Sequence, residues 1–229
     1  MTVHRVVGIA LCISVAAACL GMLALVGNAQ VLLPSTHSAS DSMSFEATRD
    51  SWINADAVQT TYGSLEEMWV GINTYSGKMD QRQALVGFDI SALPADAIVD
   101  GAALELTQIN HFSDLPCQIW PYQIAGAWDE YTVTWNNRPV STSAGDPPVT
   151  LNASPGRKMW DVTKIVQAWQ AGAENHGILL TGDGVTAGAR IFASRESTSV
   201  PGRLTINYHR PGEPPTPAHK SLYLPLVLQ

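Results

Sequence analysis

The sequence predicts an all-β fold, a two-sheet β-sandwich of jelly-roll type with one short helix at about 161–171. Three observations carry this expectation. Apolar and polar residues alternate with period two, clusters of Gly, Pro, Asn and Asp cut that alternation into short runs, and one stretch alone switches to a helical period.

Taken in order, the strand-like stretches begin with 43–49 and 65–72. In Met68-Trp69-Val70-Gly71-Ile72 the residues Met68, Val70 and Ile72 share one face, so Trp69 points to the other. The stretch 82–90 is apolar from residue 84 onward, with Arg82 just before it. In 101–112, Ala102, Leu104 and Leu106 face one way while Glu105 and Thr107 face the other. The stretch 117–124 opens on Cys117-Gln118-Ile119-Trp120, and 131–136, 177–181 and 189–194 follow. In 202–209, Leu204, Ile206 and Tyr208 alternate with Arg203, Thr205 and Asn207. Turn-forming clusters such as Ala144-Gly145-Asp146-Pro147-Pro148 and Thr181-Gly182-Asp183-Gly184 separate these runs. The helical exception places Val162, Ile165, Val166 and Trp169 on one face, with Asp161 to cap the first turn and Gly172 just past the end.

Both ends of the 229-residue chain read as addresses rather than fold. His4 and Arg5 precede an uncharged apolar run, Val6 to Val26, and small residues reach Ala29, so residues 1–29 read as a signal peptide cleaved after Ala29. The alternative is an uncleaved N-terminal anchor, because the run is long enough to span a bilayer. Residues 30–42 form a Ser-rich spacer, 43–210 the domain, 211–221 a stiff Pro-rich linker, and 222–229 a short apolar tail. That tail reads equally as a sorting or attachment tag and as an edge strand that docks back on the domain. The expected location is secreted, extracellular or attached to the cell surface. Any membrane contact runs through the N-terminal segment if it stays uncleaved.

The first 29 residues hold one Arg and no acid, which leaves 12 basic against 20 acidic residues, a net charge of −8. Such a balance, with no basic stripe, excludes nucleic acid as a partner. Cys117 is the one cysteine of the domain and reads as a small buried hydrophobe, so there is no disulfide framework.

Certain motifs place the domain more closely. Phe45-x-Ala-Thr-Arg-Asp50, Tyr62-Gly63, Arg82 through Phe88-Asp89-Ile90-Ser91, and Ala103-Leu104-x-Leu106 occur in that order. They are followed by Trp128-Asp129-Glu130-Tyr131-Thr132-Val133-Thr134-Trp135-Asn136-Asn137-x-Pro139, by Asp161-Val162-Thr163 with Val166-x-x-Trp169, by Asn175-x-Gly177, and by Phe192-Ala193-Ser194-Arg195-Glu196. Over about residues 43–208 the chain resembles the DNRLRE domain family. It is similar to modules grouped as carbohydrate-binding family 96, some of which accompany polysaccharide lyases and bind acidic polysaccharides such as alginate. The resemblance implies an extracellular β-sandwich with a polysaccharide or cell-wall glycan as partner. A net charge of −8 is a poor match for a polyanion, so a neutral glycan fits at least as well.

Sugar sites stack aromatic rings on pyranose faces and bond the hydroxyls with planar polar groups. The outward Trp69, with Asn73 and Tyr75, is the expected stacking platform, and Arg82 and Arg49 could join Asp50 in a polar cleft. The bland reading of the arginines is salt bridges that tie strands. Trp128, Trp135, Trp160 and Trp169 read as core or corner residues. Arg195 and Glu196, read as strand neighbours, point to opposite faces and are not expected to pair. Asp50, Asp56 and Asp183 are the acids that could offer oxygens to a structural calcium. No EF-hand loop is present, His111, His176 and His209 are scattered, and no other cofactor is expected.

No Gly-x-Ser-x-Gly, His-Glu-x-x-His or phosphate-cradling loop occurs. The neighbouring pairs Asp129/Glu130 and Glu66/Glu67 diverge if they lie on strands, whereas glycoside hydrolysis needs two carboxyls about 5 to 9.5 Å apart across one bond. The sequence therefore reads as a non-catalytic surface module that binds polysaccharide. The alternative is a structural or adhesive module without a sugar ligand.

Overall fold

The computed structural model describes residues 40–74, 80–184, 187–198 and 200–212. The N-terminal apolar run, the spacer up to residue 39, Tyr75, the linker beyond Gly212 and the apolar tail lie outside the described residues. In chain order the elements are β1 (Asp41–Asn54), β2 (Glu67–Asn73), β3 (Asp80–Phe88), β4 (Ile98–His111), β5 (Cys117–Ile124), β6 (Ser141–Thr142), β7 (Val149–Leu151), β8 (Gly156–Asp161), α1 (Thr163–Gln170), β9 (Ile178–Gly182), β10 (Gly188–Ala193) and β11 (Arg203–His209). Among the described residues no helix is long and apolar enough to cross a membrane.

The fold is mostly β, as expected, but the strands do not divide into two separate sheets. They form one sheet whose path β1-β11-β4-β10-β2-β3 closes by pairing β3 with β1. β1 makes this closure because it is 14 residues long and serves two neighbours. Residues 41–46 pair with β11 and residues 47–54 with β3, with a register shift between Ala47 and Arg49. A bulge of this kind bends the strand and turns it toward a new partner. Beyond the ring, β9 continues from β3 and β5 from β9, β6 and β7 flank β5, and β8 lies on β4. Period-two burial is common to sandwiches and barrels, so the alternation alone does not say that β1 would be shared.

The inward residues are largely those the alternation selects. Ala102, Leu104, Leu106, Leu204 and Ile206 are all buried in the main core, together with the helix stripe Val162, Ile165, Val166 and Trp169, and Tyr208 is buried as well. Each fully buried Leu or Ile contributes about 1.5–3 kcal/mol. Asp161 Oδ1 accepts the Thr163 N–H at 2.9 Å, but the next two amides of α1 are held by the buried Asp146, which accepts Lys164 N and Ile165 N at 3.0 Å each. Trp160 is fully buried, with its indole N–H donated to Ile119 O at 3.0 Å.

A second cluster lies on the other face of β1, β3, β9 and β5: Ile53, Leu85, Leu179 and Ile124, covered by Trp128 and Val133. The covering segment includes 131–136, which is a chain of turns and not the expected strand. Side-chain bonds divert it. Asp129 Oδ1 accepts Tyr131 N at 3.1 Å and the Thr132 hydroxyl at 3.0 Å, while the Asn137 side chain accepts Thr134 N and donates to Thr132 O at 2.9 Å. The short strands β6 and β7 and the strand β8 were not marked by the alternation.

Arg190 clasps these layers from inside. It is fully buried, and its guanidinium donates to five carbonyls: Asn152 O at 2.7 Å, Leu115 O at 2.6 Å, Ser113 O and Leu151 O at 3.0 Å, and Ala189 O at 3.1 Å. Cys117 sits near it as a buried free thiol whose pKa burial pushes up.

Candidate functional site

β2 and β3 bring Trp69, Asn73 and Arg82 together, but as an interlock. Asn73 pairs with Asp80 and Gly71 with Arg82 across the two strands. The Arg82 guanidinium lies 4.3 Å from the centre of the half-buried Trp69 ring and 5.4 Å from that of Trp52, and it pairs with Asp80 at 2.8 Å. The Trp69 indole N–H donates to Glu67 Oε1 at 2.7 Å. Trp52 stacks on Tyr62 at 3.7 Å and meets Trp69 at 6.2 Å. Asn73 Oδ1 and Asp80 Oδ1 are buried without a protein partner, so neither is open to an arriving hydroxyl. Arg82 thus makes a salt bridge within its own strand while covering the ring beneath it. Arg49 lies elsewhere, over the Trp128 ring at 4.7 Å and donating to His176 O at 3.4 Å. The shared cleft of Arg49, Asp50 and Arg82 does not form, because residues 49 and 50 point to opposite faces of β1.

Asp50 enters an acidic cluster instead. One carboxylate oxygen each from Asp50, Glu130 and Glu196 lies within 4.8 Å of the others, and among the described residues no further His, Cys or acid joins them. Asp56 and Asp183 stand apart from it, so the three acids expected to share a calcium are not assembled. Asp50 N donates to Glu130 Oε1 at 2.7 Å and Arg195 N to Asp50 Oδ2 at 2.8 Å. Arg195 Nε meets Glu130 Oε1 at 2.9 Å and Glu196 Oε1 at 3.0 Å. The last contact corrects the expectation that Arg195 and Glu196 diverge. They belong to a turn, closed by Ser197 N to Ser194 O at 3.2 Å, and their side chains converge. Burial raises the Asp50 pKa to about 7, and the Glu130 hydrogen bond raises that of Arg195. Arg195 supplies the cluster's positive charge, and the result is a lock between β1, the 125–140 segment and the 194–197 turn.

An open surface remains on the outer face of β3, β9 and β5. Directly opposed residues on adjacent strands share a face, so Gln83, Thr181 and Trp120 form one row and Leu85, Leu179 and Tyr122 the next. Along β3 the outward positions run Gln81, Gln83, Leu85; along β9, Thr181, Leu179; along β5, Trp120, Tyr122, Ile124. On all three strands the apolar end lies under the Trp128–Val133 cover, with Tyr122 packed against it, and beyond the cover Gln81, Gln83 and Trp120 are half-buried and Thr181 is buried. There a hollow of about 260 Å³ is lined by Gln81, Gln83, Thr181, Tyr122, Ser141 and Asp183, among others. Both glutamine amides donate to Thr181 Oγ1, at 3.2 Å from Gln81 and 3.0 Å from Gln83, and the threonine hydroxyl donates to Gly182 O at 3.3 Å. The two amides are thereby fixed with their carbonyl oxygens left over. Trp120 and Tyr122 are both half-buried, which leaves part of each ring to solvent.

A family model matches residues 41–208, and its description is carbohydrate-binding module family 96. The chain belongs to that family. No curated protein matches it. The matched span opens at the first residue of β1 and closes within β11, so the family 96 module is coextensive with the closed barrel and its added strands.

Within the module, the motif residues that make the family legible are mostly structural. The Trp128 indole N–H donates to His176 O at 2.7 Å, Asn175 Nδ2 donates to Phe88 O at 2.9 Å, and the Ser194 hydroxyl donates to Leu65 O at 2.7 Å. The open face escaped the sequence reading. The alternation of Cys117, Ile119 and Pro121 with Gln118, Trp120 and Tyr122 was nevertheless a signal that two aromatic side chains point away from the core.

Proposed function

We propose that the module is a secreted, non-catalytic carbohydrate-binding domain whose sugar contact is the polar end of the β3–β9–β5 face. The observation that carries this reading is the pairing, on one half-exposed face, of the aromatic residues Trp120 and Tyr122 with the fixed amides of Gln81 and Gln83. Aromatic faces accept the C–H face of a pyranose ring, while amides and hydroxyls complete the hydrogen bonds of its hydroxyl groups. The Trp69–Arg82 interlock and the Asp50–Glu130–Glu196 lock serve in this reading as scaffold. Secretion is supported by the leader-like residues 1–29, and attachment through the C-terminal tail remains part of the same proposal.

The absence of catalysis is supported by the arrangement of the acids. Glu130 and Asp50 are buried in a closed network rather than placed across a groove, and Asp183 is the acid that lines the hollow. Affinity electrophoresis of the secreted chain through gels cast with polysaccharides tests the reading. Retardation by at least one glycan, without release of reducing ends, is the expected result. An unretarded protein in every gel would instead favour a structural or adhesive module.

A further inference from the structure

The lining of this face bears on the class of sugar it can take. Gln81, Gln83, Thr181, Tyr122 and Ser141 are uncharged, and the acid among the lining residues, Asp183, is exposed at its edge. Among the described residues no Lys or Arg lines the hollow. Arg82 lies between Gln81 and Gln83 in sequence, but on a strand it projects to the opposite face, where it holds Asp80 and covers Trp69. A uronate carboxylate placed on this surface would find amide donors but no cation among the described lining residues, beside Asp183 and in the field of a chain with net charge −7. Carboxylate recognition ordinarily relies on charge-assisted bonds from Arg or Lys.

The polar groups suit a hydroxyl-rich, uncharged ligand. Each fixed glutamine keeps a carbonyl oxygen for a sugar O–H, and the Tyr122 hydroxyl can donate or accept. Because Thr181 already anchors both amides, little side-chain freedom is lost when a ligand arrives. We infer that, if the β3–β9–β5 face is the sugar contact, its ligand is a chain of uncharged pyranose residues, stacked on Tyr122 and Trp120 and bonded by Gln81 and Gln83.

The basic residues beside a hollow lie elsewhere. Arg157 and Lys158 line a hollow of about 400 Å³ between β7 and β8, with Arg157 already 3.3 Å from Glu105. An acidic glycan would be drawn to that place and not to the amide face, which gives the experiment its second arm.

The test measures binding of the full secreted chain to neutral polysaccharides (β-glucan, xylan, mannan) and to acidic ones (alginate, polygalacturonate), by affinity electrophoresis and calorimetry at low and high salt. The panel adds Trp120→Ala, Gln83→Leu and Lys158→Ala, each checked for an unchanged folded spectrum. The expected result is retention by a neutral glycan that changes less than about twofold with salt, since no counterions are released. Trp120→Ala should weaken it on the order of tenfold, as loss of an aromatic anchor does. Gln83→Leu should weaken it several-fold, and Lys158→Ala should leave it unchanged. Gln83→Leu keeps the test decisive if Trp120→Ala does not fold. Salt-sensitive binding of an acidic glycan, weakened by Lys158→Ala and indifferent to Trp120 and Gln83, overturns the inference but leaves a carbohydrate-binding module standing. Binding to neither set overturns both.

Discussion

Replacing Arg190 by Leu should damage stability and binding together. The side chain is fully buried and satisfies five backbone carbonyls drawn from three places: Ser113 and Leu115 before β5, Leu151 and Asn152 at the end of β7, and its own neighbour Ala189. Leucine fills part of the volume and donates nothing. Each carbonyl left buried without a donor costs about 1–3 kcal/mol, although relaxation and water entry will relieve some of them. Leu115 and Ser113 lie near the surface and will be rehydrated first, so a net loss of about 3–5 kcal/mol is expected, the range seen when a buried charged network is broken.

A loss of that size is a large part of a domain's usual stability of about 5–15 kcal/mol, and it is readily measured as a shift in urea midpoint at constant slope. Arg190→Lys should recover only a fraction, because an ammonium has three donors and no planar fork to reach five carbonyls. The functional consequence follows from place. Arg190 ties the 113–116 turn to β7, and β5, which begins at Cys117, carries Trp120 and Tyr122. Binding by the folded fraction should therefore weaken in Arg190→Leu although the residue touches no ligand. A loss below about 1 kcal/mol would refute the reasoning, since it would mean that the carbonyls find other donors without difficulty.

The Asp50 carboxyl, raised by burial from 3.8 to about 7, holds in the folded state a proton that the unfolded chain loses above about pH 4. Its contribution to stability is therefore complete below pH 4 and falls as pH rises toward 7, by at most about 4 kcal/mol. Urea midpoints from pH 4.5 to 8 should decline less in Asp50→Asn than in the parent, and parallel curves would contradict the assignment. Asp146→Ala removes the carboxylate that accepts Lys164 N and Ile165 N and should destabilise by about 1–2 kcal/mol in the same assay. Trp69→Ala removes the ring under Arg82 and should cost about 3–5 kcal/mol, yet leave glycan retention of the folded protein within twofold; a lost retention would return the binding site to Trp69.

The parts legible in the sequence were those written in local periodicity. The alternations in β4 and β11 and the helical stripe from Val162 to Trp169 name core positions correctly, because burial of one face is decided residue by residue. What was not legible depends on distant partners. The segment 131–136 alternates like a strand but is bent by Asp129 and Asn137, whose bonds compete with any ladder. Trp69 does point away from Met68 and Val70, yet what waits on that side is Arg82, and no spacing within β2 reveals a cation delivered by β3. The converse held for Trp120. Its outward direction is written in β5, but that the 125–140 segment would leave it half-exposed depends on where that segment ends.

That end point connects fold and function. β9 and β5 lie outside the closed ring, so their inner faces join the main core through Ile119, Ile178 and Leu180 while their outer faces need a separate cover. The segment after β5 supplies one, folding back so that Trp128 and Val133 meet Leu85, Leu179 and Ile124. It stops one row short. Beyond it the outward residues change together, on three strands distant in sequence, from Leu85, Leu179 and Tyr122 to Gln83, Thr181 and Trp120. Solvation explains the half-exposed glutamines, and under the proposed function a ligand completes the burial of the partly exposed Trp120 and Tyr122 rings, of which Tyr122 already packs against the covered cluster.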